Sequence, residues 1–411
     1  MLISKSKWLA LLGGALLFSG SLLAQDNKAL LDALVKKGIL SPDEAKQIGQ
    51  EVASGSTAAF ASTSGGKYLK KLKIDGRLQA QYAGISTDID GTAADPASTN
   101  HFFLRRVYLG AKADLINNWS LNFNYDFAGS TFDKAYLEWK YSKALVLDLG
   151  FRKVNFGYEE SYTSSGSLKA IERSPATRYF VESNNGRRLG AGSYRTGLFL
   201  DGEQNGFFYG VALTNPERDE SAAGVVSAGG NSTNNLAYWA NAGYGGKFDA
   251  GTYKLGANVG FLPDQAATPG SGRDLTVYNV FADVNVHDFE LEGGLFWSDN
   301  PGGRVSGRDA KSWAYWIQPS YKFGQFEAVV RYSAVDSGGR GVNLSDTTRS
   351  APGGGTMDKA DEWYIGGNWY INGNNTKFQL GYVHAESKDQ IGGAPGKATA
   401  EGIRSQMQVN F

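Results

Sequence analysis

From Tyr68 to the C-terminus, apolar and polar residues alternate with a period of two. In 119–127, Leu121, Phe123, Tyr125 and Phe127 are separated by Asn122, Asn124 and Asp126, so an extended chain presents one apolar and one wet face. The same alternation recurs in 72–82, 107–115, 207–213, 253–261, 289–297, 313–323, 326–334, 363–371 and 378–382. Many of these segments run about ten residues. At roughly 3.3 Å per residue and a tilt near 45°, ten residues rise about 23 Å, close to the apolar band of an outer membrane.

The connections alternate as well. Short turns near 116–118, 141–143, 202–204, 248–251, 287–288, 323–325 and 372–375 are interleaved with longer polar loops at 85–100, 154–186, 215–235, 263–273, 299–310, 336–360 and 385–401. Counting every segment gives about 16 strands, with seven turns at one end and eight loops at the other, the short 129–131 among them. The predicted fold class is all-β: a transmembrane up-and-down antiparallel β-barrel, whose closure leaves no strand edge unpaired in lipid. A soluble β-sandwich also has alternating strands, but it does not call for alternating loop lengths or aromatic strand ends. Trp297, Trp313, Tyr321, Trp363 and Trp369 fit interfacial girdles. The last strand alternates from Ile403 to the terminal Phe411, resembling the signal read by the outer-membrane assembly machinery.

The first 67 residues read differently. Lys5 and Lys7 precede an apolar stretch at 8–18, and small residues lead to Ala24. Residues 1–24 therefore read as a signal peptide, too short and interrupted for a spanning helix. In 25–53, Leu30, Leu31, Leu34, Val35, Ile39 and Leu40 recur at helical spacing, and Ser41-Pro42-Asp43-Glu44 restarts a helix with a capping box. The expectation is a periplasmic helical hairpin, followed by a Ser/Thr/Ala/Gly linker at 54–67 and the barrel at 68–411.

Composition adds exclusions. The 54 glycines and 52 aromatics suit one large β-structure, and the absence of Cys removes disulfides, thiolate metal sites and cysteine nucleophiles. Basic and acidic residues balance at 41 each, so charge selectivity must come from where the charges sit. A barrel this wide cannot fill itself with strand side chains. Residues on the polar phase should line a water-filled lumen, with Arg77, Arg106, Lys112, Lys134, Lys140, Arg152, Lys254, Lys322 and Arg331 among the basic ones. Asp75, Asp114, Asp126, Glu138, Asp148, Glu290, Glu292 and Glu327 share that phase, making the wall mixed.

The third loop and its flanks break the balance. Arg152, Lys153, Lys169, Arg173, Arg178, Arg187, Arg188 and Arg195 stand against Glu159, Glu160, Glu172 and Glu182. At a narrow place, guanidinium groups offer paired donors to phosphate or carboxylate oxygens, and ammonium groups act as movable point charges. Several shallow sites in reduced dielectric attract an anion and still release it.

The run Phe151-Arg152-Lys153-Val154-Asn155-Phe156-Gly157-Tyr158-Glu159-Glu160, with Thr163-Ser164-Ser165 and Ile171-Glu172-Arg173-Ser174, resembles the third-loop signature of the phosphate-selective porin O and P family. Arg105-Arg106-Val107-Tyr108-Leu109-Gly110 and Asn124-Tyr125-Asp126-Phe127 resemble its second and third strands. The resemblance implies a homotrimer of 16-stranded barrels in the outer membrane of a Gram-negative-type bacterium, in contact with outer-membrane lipid and lipopolysaccharide. It also implies that the third loop folds inward to narrow a channel for small inorganic anions, phosphate or polyphosphate. Residue by residue, Lys153 matches the central lysine, Asp126 the nearby aspartate, and Arg105 and Arg106 the paired arginines. Asn155 stands where the family usually has proline. Strict alternation turns only one of Arg105 and Arg106 inward unless a bulge intervenes, and Lys153 is one place out of phase with Arg152.

Rival readings are a weakly selective general or organic-anion porin and an outer-membrane hydrolase. The hydrolase lacks a nucleophile and base constellation, because His101, His287 and His384 have no evident catalytic partner. No metal or cofactor motif stands out, and dispersed, acid-balanced basic residues give no nucleic-acid footprint.

Overall fold

The computed structural model describes residues 68–91, 95–183, 185, 187–216, 235–263, 274–300, 311–390 and 396–411. The expected signal peptide, helical hairpin and linker lie outside them. Sixteen strands form a closed barrel in which each pairs antiparallel with the next and the last pairs with the first. The first eight are β1 (Leu69–Ile89), β2 (Thr99–Leu115), β3 (Trp119–Asp126), β4 (Thr131–Ser142), β5 (Leu145–Lys153), β6 (Tyr194–Gln204), β7 (Phe207–Thr214) and β8 (Ala237–Phe248). The second eight are β9 (Gly251–Leu262), β10 (Leu275–Val286), β11 (Phe289–Asp299), β12 (Trp313–Phe323), β13 (Phe326–Asp336), β14 (Met357–Asn374), β15 (Thr376–Gln390) and β16 (Lys397–Asn410). Short turns and long loops segregate to opposite ends, as the alternating spacing predicts.

The outer wall is what the period-two pattern encodes. Leu121, Leu149, Leu255, Leu295, Ile317, Ile365 and Ile403 are exposed, while Asn122, Asp148, Asn258, Gln318 and Arg404, on the opposite phase of these strands, are buried inside. Aromatic pairs such as Tyr278 with Trp297 and Phe326 with Trp369 stack on this face.

Two differences from the sequence reading concern the inner face. It is not uniformly polar. On β6 and β8–β13, Phe199, Trp239, Val277, Phe281, Phe296, Trp316 and Val335 turn inward and pack with Val154, Phe156, Tyr158, Tyr179, Phe180 and Val181 of the third loop. That loop spans 154–193 and includes a π-helical turn, Tyr158–Tyr162, and helix α1, Pro175–Val181. A core of the kind found in soluble proteins therefore fills part of the lumen, each buried aromatic contributing roughly 1.5–3 kcal/mol. Strands in this sector are apolar on both faces, so their alternation is weaker.

The second difference is strand length. β1, β14 and β15 extend by several residues into segments that read as loops. There the polarity is inverted: Ile85, Ala360, Val383 and Ala385 are buried inside. Lys359, Asp361, Glu386 and Lys388, each on the outward phase of its strand, carry the charge. An outward charge reads as loop in a sequence scored for an outward apolar face.

Leu255→Arg, at mid-height of the lipid face of β9, should lower folding stability by about 2–4 kcal/mol, measured by urea titration in phosphatidylcholine vesicles. A loss under about 0.5 kcal/mol, the usual range for a tolerated surface change, would place Leu255 outside the hydrocarbon.

Candidate functional site

The third loop leaves β5 at Lys153 and crosses the barrel interior, fastened wherever it meets the wall. Gly157 makes the first bend with φ of 81°, and its N–H donates to Asn258 Oδ1 on β9 at 3.1 Å. Any Cβ there would stand 3.3 Å from Phe296 and Val181, so the position needs glycine for both conformation and space. Tyr158 donates its hydroxyl to Asp283 on β10 at 2.7 Å. Arg77 on β1 donates to Ser165 Oγ at 2.7 Å, and Gln408 on β16 to the Gly166 carbonyl at 2.9 Å. Ser174 caps α1 by accepting from the Thr177 N–H, with Pro175 in the first turn.

Ion pairs complete the anchoring. Lys169 reaches Glu290 at 2.6 Å and Glu327 at 3.5 Å. Arg331 on β13 bonds the Glu172 carbonyl at 2.7 Å and the Glu159 carboxylate at 3.3 Å. Glu172 is bonded by Arg105 of β2 at 2.6 Å and by Arg349 at 3.0 Å; Arg349 also reaches Glu182 at 2.9 Å. Arg349 belongs to the β13–β14 loop, whose short helix α2, Leu344–Thr347, is held by an Asn343/Asp346 capping box. Burial opposes the Glu172 charge, but Arg105 and Arg349 hold its carboxyl well below the ordinary value of 4.5. Glu182 is half-buried, and Arg178, Arg349 and Arg188 lower it from the same value.

The loop packs on one side and leaves three cavities along the β1–β9 side of the wall. The first, about 250 Å³ toward the loop end, is lined by Arg105, Arg106, Arg173, Arg188 and Arg349 with Asp126, Asp133, Glu160 and Glu182. The second, about 450 Å³, carries Arg77, Lys134, Arg152 and Lys153 with Asp75, Asp133 and Glu160. The third, about 420 Å³ toward the turn end, carries Lys140, Lys143 and Lys254 with Asp201 and Glu203. Tyr108, Asp133, Glu160 and Tyr194 line both the first and second, and Asn155 and Tyr162 both the second and third. Counting shared residues once, 12 basic side chains stand against 7 acidic ones along this path. Aromatic faces back the cations: Arg152 lies 4.4 Å from the Phe199 ring centre, Lys153 5.1 Å from Tyr194 and Lys254 4.9 Å from Phe208.

The sequence candidates sort into two groups. Arg105, Arg106, Asp126, Arg152, Lys153, Arg173 and Arg188 line this path. Lys153, the last residue of β5, turns to Glu160 Oε1 at 2.8 Å, while Arg152 bonds Asp148 and, at 2.6 Å, Asp201. Both Arg105 and Arg106 face inward because a register shift leaves Arg105 as an extra residue opposite the Gln79/Ala80 step of β1. Lys169, Arg178, Arg187 and Arg195 are engaged elsewhere: Lys169 on the far wall, Arg178 with Glu182, Arg187 with Asp346 and Arg195 with the Gly190 carbonyl. Asp126 accepts the Val107 and Ala128 N–H groups at 3.0 and 3.1 Å, which gives it a turn-stabilising position at the cavity rim.

Asp133, Tyr108, Tyr194 and Arg349 escaped the sequence reading. A second register shift makes Asp133 the extra residue of β4, so that Asp133 and Lys134 both enter the lumen, and Tyr194 donates its hydroxyl to Asp133. Two consecutive charges inside an apolar strand, Asp133-Lys134 here and Arg105-Arg106 in β2, are the sequence signal of such a bulge. Among the described residues, no group of three or more His, Asp and Glu could hold a metal ion.

The depressed Glu172 and Glu182 carboxyls stabilise the anchored loop fully above the ordinary glutamate value of 4.5, and that stabilisation is lost as pH falls below 4.5 toward the lower folded values. Single-channel conductance at fixed salt should hold steady from pH 7 to 5 and become larger and noisier on further acidification. Glu172→Gln, which strands Arg105 and Arg349, should loosen the loop by about 3–5 kcal/mol and give that noisy state at pH 7. Quiet, unchanged conductance in the variant would remove Glu172 as an anchor.

Comparison with known proteins agrees with this architecture. The family described as phosphate-selective porin O and P matches residues 72–198 and 292–411. The anion-selective porin from Comamonas acidovorans is 15% identical with a TM-score of 0.55, over 82% of this chain and 99% of that one. The outer membrane channel DcaP of Acinetobacter baumannii is 13% identical with a TM-score of 0.56, over 86% and 100%. Salmonella typhi OmpF, in complex with daunomycin, is 16% identical with a TM-score of 0.54, over 83% and 98%. At such identities the likeness is one of fold. No curated protein sequence matches the chain. With both the basic half of the barrel and its closing strands inside the matched segments, the chain belongs to the phosphate-selective porin O and P family and is an outer-membrane porin.

Proposed function

We propose that the protein is a passive channel for small anions, phosphate or polyphosphate, which cross through the three linked cavities. The observation that carries this reading is the cationic excess along the path, 12 basic against 7 acidic residues, in a chain of zero formal net charge. In this reading Arg105, Arg106, Arg173, Arg188 and Arg349 collect the anion at the loop end, which faces the cell exterior. Lys153 receives it where the first two cavities meet, and Lys140, Lys143 and Lys254 pass it toward the periplasm. Guanidinium forks replace the lost hydration shell, and the neighbouring carboxylates Asp133 and Glu160 keep each site shallow enough for release. Lys169, Arg178, Arg187 and Arg195 act through the loop and barrel scaffold. The protomer works in a homotrimer, the assembly the family implies, and reaches the membrane through the outer-membrane assembly machinery.

A second reading has one observation in its favour. The 450 Å³ cavity is lined by Tyr108, Tyr136, Tyr162 and Tyr194 as well as by cations, surroundings that suit an organic anion with a flat apolar body as well as an inorganic one.

Reversal potentials in planar bilayers under a KCl gradient, with phosphate or an aromatic carboxylate as blocker, separate the two. Anion preference with phosphate block at lower concentration supports the phosphate reading. Stronger block by the carboxylate supports the organic-anion reading, and cation preference overturns both. Lys153→Glu should weaken phosphate block by about tenfold or more, about 1.4 kcal/mol, and shift selectivity toward cations. Unchanged block would take Lys153 out of the path.

A further inference from the structure

The first and second cavities of the path meet at a junction, and the residues common to both linings are Tyr108, Asp133, Glu160 and Tyr194. None of them is a cation. Arg and Lys crowd the chambers on either side, yet an anion passing from one to the other faces two carboxylates and two phenols. Negative charge at that point is a barrier to an anion unless the ion brings something a carboxylate can use.

The two carboxylates differ. Glu160 is buried and has both oxygens engaged, Oε1 by Lys153 at 2.8 Å and Oε2 by Arg173 at 2.6 Å, so its charge is offset. Asp133 is half-buried, and among the described residues no Lys or Arg pairs with it; its Oδ1 accepts the Tyr194 hydroxyl. Since it lines both cavities, it keeps acceptor capacity open to the junction. Its place there depends on the β3–β4 register shift, because a regular pleat would turn only one of Asp133 and Lys134 inward. Asp126, the aspartate matched by family resemblance, lines the first cavity but not the second and accepts two backbone N–H groups.

An ionised carboxylate accepts hydrogen bonds and cannot donate one. An oxyanion that carries a hydrogen can donate it to Asp133 while its other oxygens stay on cations such as Lys153, which stands beside Glu160 and 5.1 Å from the Tyr194 ring centre. A hydrogen-free dianion of the same size sets lone pair against lone pair.

We propose that Asp133 determines which oxyanions cross: it accepts a hydrogen bond from tetrahedral oxyanions that carry a hydrogen, such as monohydrogen phosphate, and turns back sulfate-like dianions that carry none. The inference rests on the phosphate reading of the path and adds its specificity determinant. Tyr194 is a positioning residue, its hydroxyl orienting the carboxylate. Selection of this kind works by repelling the wrong ion as much as by holding the right one.

The test places the full-length protein in planar bilayers at pH 8, carrying chloride current, with phosphate, sulfate or monofluorophosphate as blocker. At that pH all three are mainly tetrahedral dianions, and of these dianions phosphate alone retains a hydrogen. Wild type should be half-blocked by phosphate at a concentration about tenfold lower than by either of the others, as a site that bonds a donor rejects the analogue lacking it. Asp133→Asn, which removes the charge and offers an amide N–H to every ion, should bring the three within about twofold of one another. Asp114→Asn, the same change of charge on the lumen phase of β2 but outside all three cavities, should keep the wild-type ratio. An unchanged ratio in Asp133→Asn, or an equal fall in Asp114→Asn, overturns the proposal. An anion current that the three ions block equally in wild type defeats the role of Asp133 and leaves the channel reading standing, whereas a cation-preferring current without phosphate block defeats both. If Asp133→Asn loses channel activity and heat-modifiable migration, Tyr194→Phe decides: it keeps the carboxylate, removes the hydroxyl that orients it, and should lower the ratio about threefold. No change of ratio in that variant refutes the proposal.

Discussion

Every backbone group that faces hydrocarbon must find its partner within the protein, and one seam decides whether that condition is met. β1 pairs with β16 from Arg77 opposite Asn410 to Ile89 opposite Ala398. The terminal Phe411 exchanges both backbone bonds with Gly76, at 3.0 and 3.1 Å. Without that seam two strand edges would lie bare in lipid. Closure in turn fixes the interior: sixteen strands enclose more space than their own side chains fill, so what occupies the lumen is left to the loops.

The third loop fills it unevenly. One sector buries Phe156, Phe180 and Val181 against inward aromatics, where water gains nothing by entering. The other keeps polar walls, and there buried carboxylates of the loop consume only part of the wall's positive charge. Glu172 is held by two guanidinium groups, and Glu160 by Arg173 as well as Lys153. Each carboxylate ties the loop to its scaffold, and each unmatched cation is left facing open volume. Anchoring and charge selection therefore draw on one set of side chains, and a change at either is felt at both.

How much of this was legible depends on which face a residue serves. Strand number, order and loop alternation followed from Leu121, Phe123 and their equivalents, because lipid imposes one rule on the outward phase. The upper parts of β1, β14 and β15 were hidden, since there Ala360 and Val383 turn inward while Lys359 and Lys388 face out. Arg349 was hidden for another reason: its partners Glu172 and Glu182 lie more than 160 residues away, and no local pattern announces a meeting between two loops. The segment from Phe151 to Glu160 was readable because its residues resemble a known motif, yet neither spacing nor motif could say that Lys169 fastens to the far wall while Lys153 stays on the near one.

The bulges at Arg105 and Asp133 also bear on how such a wall can change over time. Leu104 points out, Arg105 and Arg106 point in, and Val107 resumes the outward phase. Losing Arg105 would restore a regular pleat without re-facing any neighbour, because the extra residue is the one the pairing does not count. A lineage can thus add or drop a pore-lining charge by inserting or deleting a single codon, a route to new permeability that leaves the lipid-facing residues of the strand where they were.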